Sequence, residues 1–185
     1  MLFAIVDISH GGGVMDPEVI SATIDRFSRE PEAARSAPAV AARVVDGRAE
    51  LSVGSFTWYA DLPAALGGTN TAPSPTAYLL GALAGCAVAF IRDTLAPQLG
   101  IRVDDVRAVA RCTADARGLL GMDGATPDLG NVAVEITVVS SEPKSRLDVL
   151  YQAWLERCPI YLALLKPTSV AARFTLAQPD DAAAG

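Results

Sequence analysis

Between Ala77 and Ile91 the chain carries no charge, and the stretch LLGALAGCAVAF, residues 79 to 90, is built almost wholly from small apolar residues. With Gly81-x-x-x-Gly85 and Ala82, Ala84, Ala87 and Ala89, a helix here is small-sided all round, so another backbone can approach it closely. Each mid-helix glycine costs about 1 kcal/mol relative to alanine, and close packing offsets that cost. The spacing predicts a buried central helix. A membrane span is the weaker reading, because the 15 uncharged, helix-compatible residues from 77 to 91 fall short of the ~20 a crossing requires. The uncharged run upstream of them is broken by Pro63, Asn70, Pro73 and Pro75.

The flanking pattern predicts what packs on that helix. Asp46-Gly47 lies between two β-compatible runs and signals a hairpin, giving two or three antiparallel strands over residues 39 to 61. The Gly, Pro and Asn-rich loop PAALGGTNTAPSP then leads into the helix, which ends near residue 100. Val106, Ala108, Ala110 and Cys112 alternate with Arg107 and Arg111, and Val132, Val134, Ile136 and Val138 alternate with Ala133, Glu135 and Thr137. Both patterns are sheet strands with one dry face. EPKSRLDVLYQAWLER is an amphipathic helix with Leu147, Leu150, Ala153 and Trp154 as its stripe, ending at Cys158-Pro159. IYLALL comes next as a short helical piece and TSVAARFTLAQ as a last strand. The order βββ, α, ββ, α, β predicts an α+β fold with helices packed on antiparallel sheet.

A chain of 185 residues supports one main domain. Residues 1 to 38 form an N-terminal helical extension and linker, with Asp16 as N-cap, Pro17 at the first helical position and Ile20, Ile24 and Phe27 on one face. That stripe needs a cover, so partner docking or dimer capping is its expected role. Residues 39 to 180 form the main domain and residues 181 to 185 a frayed, disordered tail.

The net charge of −6, with no basic run, argues against nucleic acid and anionic membrane surfaces as partners. The first residues have no positive region before their short apolar run, which stops at Asp7, so a cytoplasmic location is expected. HGGG at residues 10 to 13 holds the chain's single histidine and no G-x-S-x-G elbow accompanies it, which excludes a Ser-His-Asp hydrolase. Gly67-Gly68 belongs to no nucleotide-binding pattern. No metal and no cofactor are expected, since one histidine and three dispersed cysteines lack zinc-site spacing.

The cysteines carry what chemistry remains. Cys112, on the dry face of a strand, reads as a small hydrophobe. Cys86 sits in the small-sided helix. Cys158 stands between two helical pieces, where free backbone N–H groups favour a thiolate. By residue pattern alone, Cys86 and Cys158 are either a redox pair or two unrelated core cysteines.

LGGTNTAPSPTAYLLGALAGCAVAF, followed by ERCPIYLALL, resembles the OsmC/Ohr family of thiol-dependent hydroperoxide reductases, over about residues 39 to 178. The resemblance implies antiparallel sheets wrapped around central helices in an intertwined homodimer, with active sites at the subunit interface. It implies Cys86 as the peroxidatic cysteine in an apolar pocket for an organic hydroperoxide, Cys158 as the resolving cysteine, and an external dithiol as reductant. Two positions depart from the family pattern. The glutamate nine or ten places before the first cysteine is replaced by Ala77 and Thr76, and Val45 stands where an arginine holds the thiolate, with Arg43 and Arg48 as nearby substitutes. Those departures motivate a second expectation, an OsmC-like module that binds a small hydrophobic ligand or acts as a slow redox sensor.

Overall fold

Asp46 and Gly47 both adopt positive φ, 50° and 74°. They form the two-residue turn that joins β1 (Ala41–Val45) to β2 (Arg48–Val53), and Val45 pairs with Arg48 directly across it. A second two-residue turn, opened by Gly54, adds β3 (Phe56–Ala60) as the third strand of an antiparallel sheet. The computed structural model describes residues 17–166, 169–176 and 178. Before the sheet, the expected N-terminal helix forms as α1 (Pro17–Arg29), with Ile24 and Phe27 left exposed. The Asp16 cap and the HGGG motif lie outside the described residues, as do 181 to 185.

One face of this first sheet is apolar and largely uncovered: Val44 is 81% exposed and Phe56 73%. The expectation that helices cover antiparallel sheet therefore fails for this sheet within a single chain.

After β3 the chain winds around Asp61. This buried carboxylate accepts hydrogen bonds from the Leu62 N–H (2.8 Å), the Thr69 hydroxyl (2.6 Å) and N–H (3.1 Å), and the Thr71 N–H (3.0 Å). The Thr69 hydroxyl first, and then the Thr71 N–H, hold it well below the usual carboxylate range. Gly68 is required by the same winding, since a Cβ there would collide with the carbonyl oxygen of Leu62. The loop ends at Ser74, whose hydroxyl caps α2 (Pro75–Phe90) by accepting from the Ala77 N–H at 3.2 Å. The Tyr78 hydroxyl ties the helix back to the sheet through the Tyr59 carbonyl at 2.6 Å.

The helix runs past residue 91 through a π-turn, Ile91–Leu95, into α3 (Ala96–Leu99). Pro97 supplies the cause, because it lacks an N–H and its ring crowds the carbonyl four residues back. The ladder widens and the Ala96 N–H bonds the Ile91 carbonyl. Pro75 to Leu99 makes 25 helical residues, long and apolar enough to cross a membrane by length and composition. The helix ends where the sequence places it, near residue 100, having continued past its uncharged portion through Arg92 and Asp93, which bond each other. One side of it is core: Leu83, Ala87, Ile91, Leu95 and Ala96 are buried. The opposite side, Ala77, Gly81, Gly85 and Ala89 at four-residue spacing, is exposed, so the expected all-round burial holds for only half of the helix.

The core lies between this helix, a second sheet and α5 (Lys144–Arg157). β4 (Asp105–Thr113) and β5 (Gly130–Val139) pair antiparallel, with Val106 opposite Val138 and Ala108 opposite Ile136 on the inward face. Between them the short α4 (Ala116–Leu119), with its Asp115 cap, was not expected from the sequence. From α5, Leu150, Ala153 and Trp154 are buried against the helix, and Trp154 packs on Tyr161 of α6 (Pro159–Leu165) at 4.9 Å between ring centroids. The expected last strand is not formed. Val170, Phe174 and Leu176 are 88%, 96% and 97% exposed, and a strand without a ladder partner among the described residues has nothing to hold it.

Candidate functional site

Pro159 excludes helical backbone at the residue before it. Cys158 accordingly takes φ −68° and ψ 111° and forms an extended joint between α5 and α6. Its own N–H bonds the Trp154 carbonyl at 2.9 Å, and its carbonyl receives the Leu162 N–H at 3.0 Å. The joint is therefore fixed from both sides, and Cys158 is fully buried. Its thiol points at α2 and donates to the sulfur of Cys86 at 3.3 Å. Two residues 72 positions apart thus form a thiol pair. Bringing the sulfurs to the ~2.05 Å of a disulfide requires a movement of about 1.3 Å. Cys112 is half-buried on the inward side of β4 and is free, as the other two are.

The electrostatics of the pair are unequal. Burial, followed by the hydrogen bond and charge of Cys158, pushes the Cys86 thiol up to about 11, while the backbone N–H of Ile160 acts in the opposite direction. That donor belongs to the start of α6. Free N–H groups there were expected to serve Cys158, whose side chain makes no cap bond to them.

Cys86 opens onto a recess of about 560 Å³ walled by Ala89, Phe90, Asp93, Thr94, Arg157 and Pro159. A separate, charge-free groove of about 660 Å³, whose lining includes Leu83, Val134, Ile136, Trp154 and Leu164, does not include Cys86. Trp154 also buries its indole N–H without a partner among the described residues.

Neither substitute arginine from the N-terminal strands reaches the pair within this chain. Arg43 bonds Glu50 at 2.9 Å, and Glu50 also accepts from the Tyr59 hydroxyl at 3.0 Å. The Arg48 guanidinium lies 4.4 Å over the Tyr59 ring. Thr76 and Ala77 occupy the first turn of α2 and bring no charge to it. Arg157 was not singled out in the sequence, although it directly precedes Cys158. Among the described residues no group of three or more His, Cys, Asp or Glu is placed to hold a metal ion.

Comparison with known proteins agrees with this architecture. A search of curated proteins gives no match. The chain is similar in structure to an OsmC-like protein from Mycoplasma pneumoniae, at 17% identity over 71% of this chain and 89% of that one, with a TM-score of 0.60. It is also similar to an organic hydroperoxide resistance protein OsmC from Legionella pneumophila, at 21% identity over 70% and 89% of the two chains, with a TM-score of 0.53. These likenesses establish an α+β fold of antiparallel sheets and helices shared with both. The family model described as OsmC-like protein matches residues 68–173, which contain Cys86, Cys158 and the whole core between them, and the chain belongs to that family.

Proposed function

We propose that this chain is a thiol peroxidase that reduces organic hydroperoxides through Cys86 and Cys158. The Cys86 thiolate attacks one peroxide oxygen. An S–O bond forms, the O–O bond breaks, and the expelled alkoxide takes a proton to become an alcohol. Cys86 is then a sulfenic acid. The Cys158 thiol attacks its sulfur, forming the Cys86–Cys158 disulfide and releasing water. An external dithiol reopens that disulfide by exchange and is itself oxidised. The observation that carries this reading is the 3.3 Å between the two sulfurs. The Legionella pneumophila structure, named as an organic hydroperoxide resistance protein, is consistent with it.

A homodimer is part of the proposal. The exposed small-residue side of α2, the bare face around Val44 and Phe56, and the exposed Val170, Phe174 and Leu176 are surfaces that a second copy would cover. A catalytic disulfide reopened at each turnover also calls for a reducing compartment, and the cytoplasm is the one proposed.

The test is steady-state consumption of an organic hydroperoxide with a dithiol reductant, alongside sedimentation to give the mass in solution. Saturable consumption that disappears in Cys86→Ser is the expected outcome, and undiminished consumption in that variant contradicts it.

The raised Cys86 thiol and the separate apolar groove favour one second reading. In it the chain is a catalytically impaired module that holds a small hydrophobic ligand. Ligand retention in a variant lacking both Cys86 and Cys158, with no peroxide consumed by the parent chain, would support it.

A further inference from the structure

A thiolate at Cys86 needs a positive charge nearby, because burial and Cys158 both oppose its formation. Arg43 and Arg48 are engaged on Glu50 and Tyr59. The wall of the Cys86 recess carries two charged side chains, Asp93 and Arg157. Arg92 neutralises Asp93, its terminal nitrogen donating to the carboxylate at 2.9 Å. Arg157 has no carboxylate partner among the described residues; it donates to the neutral side-chain oxygen of Gln98, at 3.0 Å. The other elements packed against Cys86 do not supply an alternative. α6 has no charged residue. On β4, Arg107 and Arg111 occupy the outward face and pair with Asp105 and Glu135. The recess therefore contains one uncompensated charge, and it is positive.

We propose that Arg157, steadied by Gln98, supplies the positive charge for Cys86, favouring its thiolate and then the alkoxide oxygen expelled as the O–O bond breaks. The assignment rests on the peroxidase reading and names the residue that does within this chain what the N-terminal arginines do not.

The test uses the full chain with Cys112→Ser and Cys158→Ser, so that Cys86 is the only thiol. Its alkylation by neutral iodoacetamide and by anionic iodoacetate is followed from pH 6 to pH 11, with Arg157, Arg157→Lys and Arg157→Gln. Expected is a slowing of about 10-fold in Arg157→Gln at neutral pH, with the titration midpoint about one unit higher. Iodoacetate should be slowed more than iodoacetamide, and Arg157→Lys should keep most of the rate. A change in this ratio separates local charge from a merely structural role. Profiles for Arg157→Gln that overlay the parent for both reagents overturn the proposal. If Arg157→Gln fails to fold, Gln98→Ala, which removes only the anchor, must still change the ratio, and an unchanged ratio overturns it equally. Hydroperoxide consumption, measured in parallel on the chain with all three cysteines, separates the two claims. Normal consumption with unmoved alkylation rejects Arg157 alone, whereas no consumption with the alkylation shift intact rejects the peroxidase reading alone.

Discussion

The sulfur of Cys158 lies 3.3 Å from that of Cys86, 72 positions earlier in the chain, and the two are placed unequally. The joint at Cys158-Pro159 brings the second sulfur up to the first. The two cysteines are inequivalent: Cys86 faces the recess, while Cys158 is sealed behind it.

This inequivalence sets the pH dependence of labelling. Burial and Cys158 raise the Cys86 thiol to about 11, so its alkylation rate should rise about tenfold per pH unit from neutrality toward that value. Replacing Cys158 by Ser removes that residue's raising influence, and the Cys86 profile should move to lower pH. A profile that does not move contradicts the cause given. Stability carries the same sign. The folded value lies above the ~8.5 of an unfolded thiol, so this contribution is complete below about pH 8.5 and is lost as pH rises toward 11. Denaturant melts of parent and Cys86→Ala over that range should show the parent losing more stability.

At the acid end Asp61 governs. Its carboxyl is held far below the ordinary value by Thr69 and Thr71, so its stabilising contribution is present above about pH 4 and falls away as pH drops below that. Asp61→Asn should lower Tm at pH 7 and weaken the loss of Tm on acidification, measured by thermal melts at pH 7 and pH 3. Gly68→Ala should cost more than about 2 kcal/mol, since the added carbon meets a backbone oxygen that cannot move freely. A Gly68→Ala variant as stable as the parent would contradict the winding of the loop on Asp61.

Packing beneath the thiol pair should be separable from chemistry. Leu150 is buried in the cluster that contains Cys158, and Leu150→Ala should destabilise by about 2–5 kcal/mol in urea unfolding. Cys112→Ala, on β4, should leave the rate of hydroperoxide consumption within about twofold of the parent. A large rate loss in Cys112→Ala would place a third thiol in the cycle.

Much of this architecture was legible because its signals are local. Asp46-Gly47 dictates a turn, the alternation at Val106 to Cys112 and Val132 to Val138 dictates two strands, and Pro159 dictates the break after Cys158. The end of the long helix near residue 100 was legible too, whereas the π-turn within it, set by Pro97, was not. Residues 168 to 178 show the limit of alternation: Val170, Ala172, Phe174 and Leu176 have the period of a strand, yet period does not supply a ladder partner. Asp61 escaped notice because its partners, Thr69 and Thr71, gather around it only once the glycine turn is closed. Arg157 escaped for a related reason. A thiolate-holding cation was sought on the N-terminal strands, whereas the recess is walled from the far end of α5.

The pairing of Cys86 with Cys158 is tested most directly by intact mass and thiol counting, before and after one equivalent of an organic hydroperoxide, on the parent chain and on Cys158→Ser. The parent should lose two thiols with no added oxygen, because the sulfenic acid is consumed in forming the disulfide. Cys158→Ser should gain a single oxygen at Cys86. Three unreacted thiols in the parent would contradict the pairing.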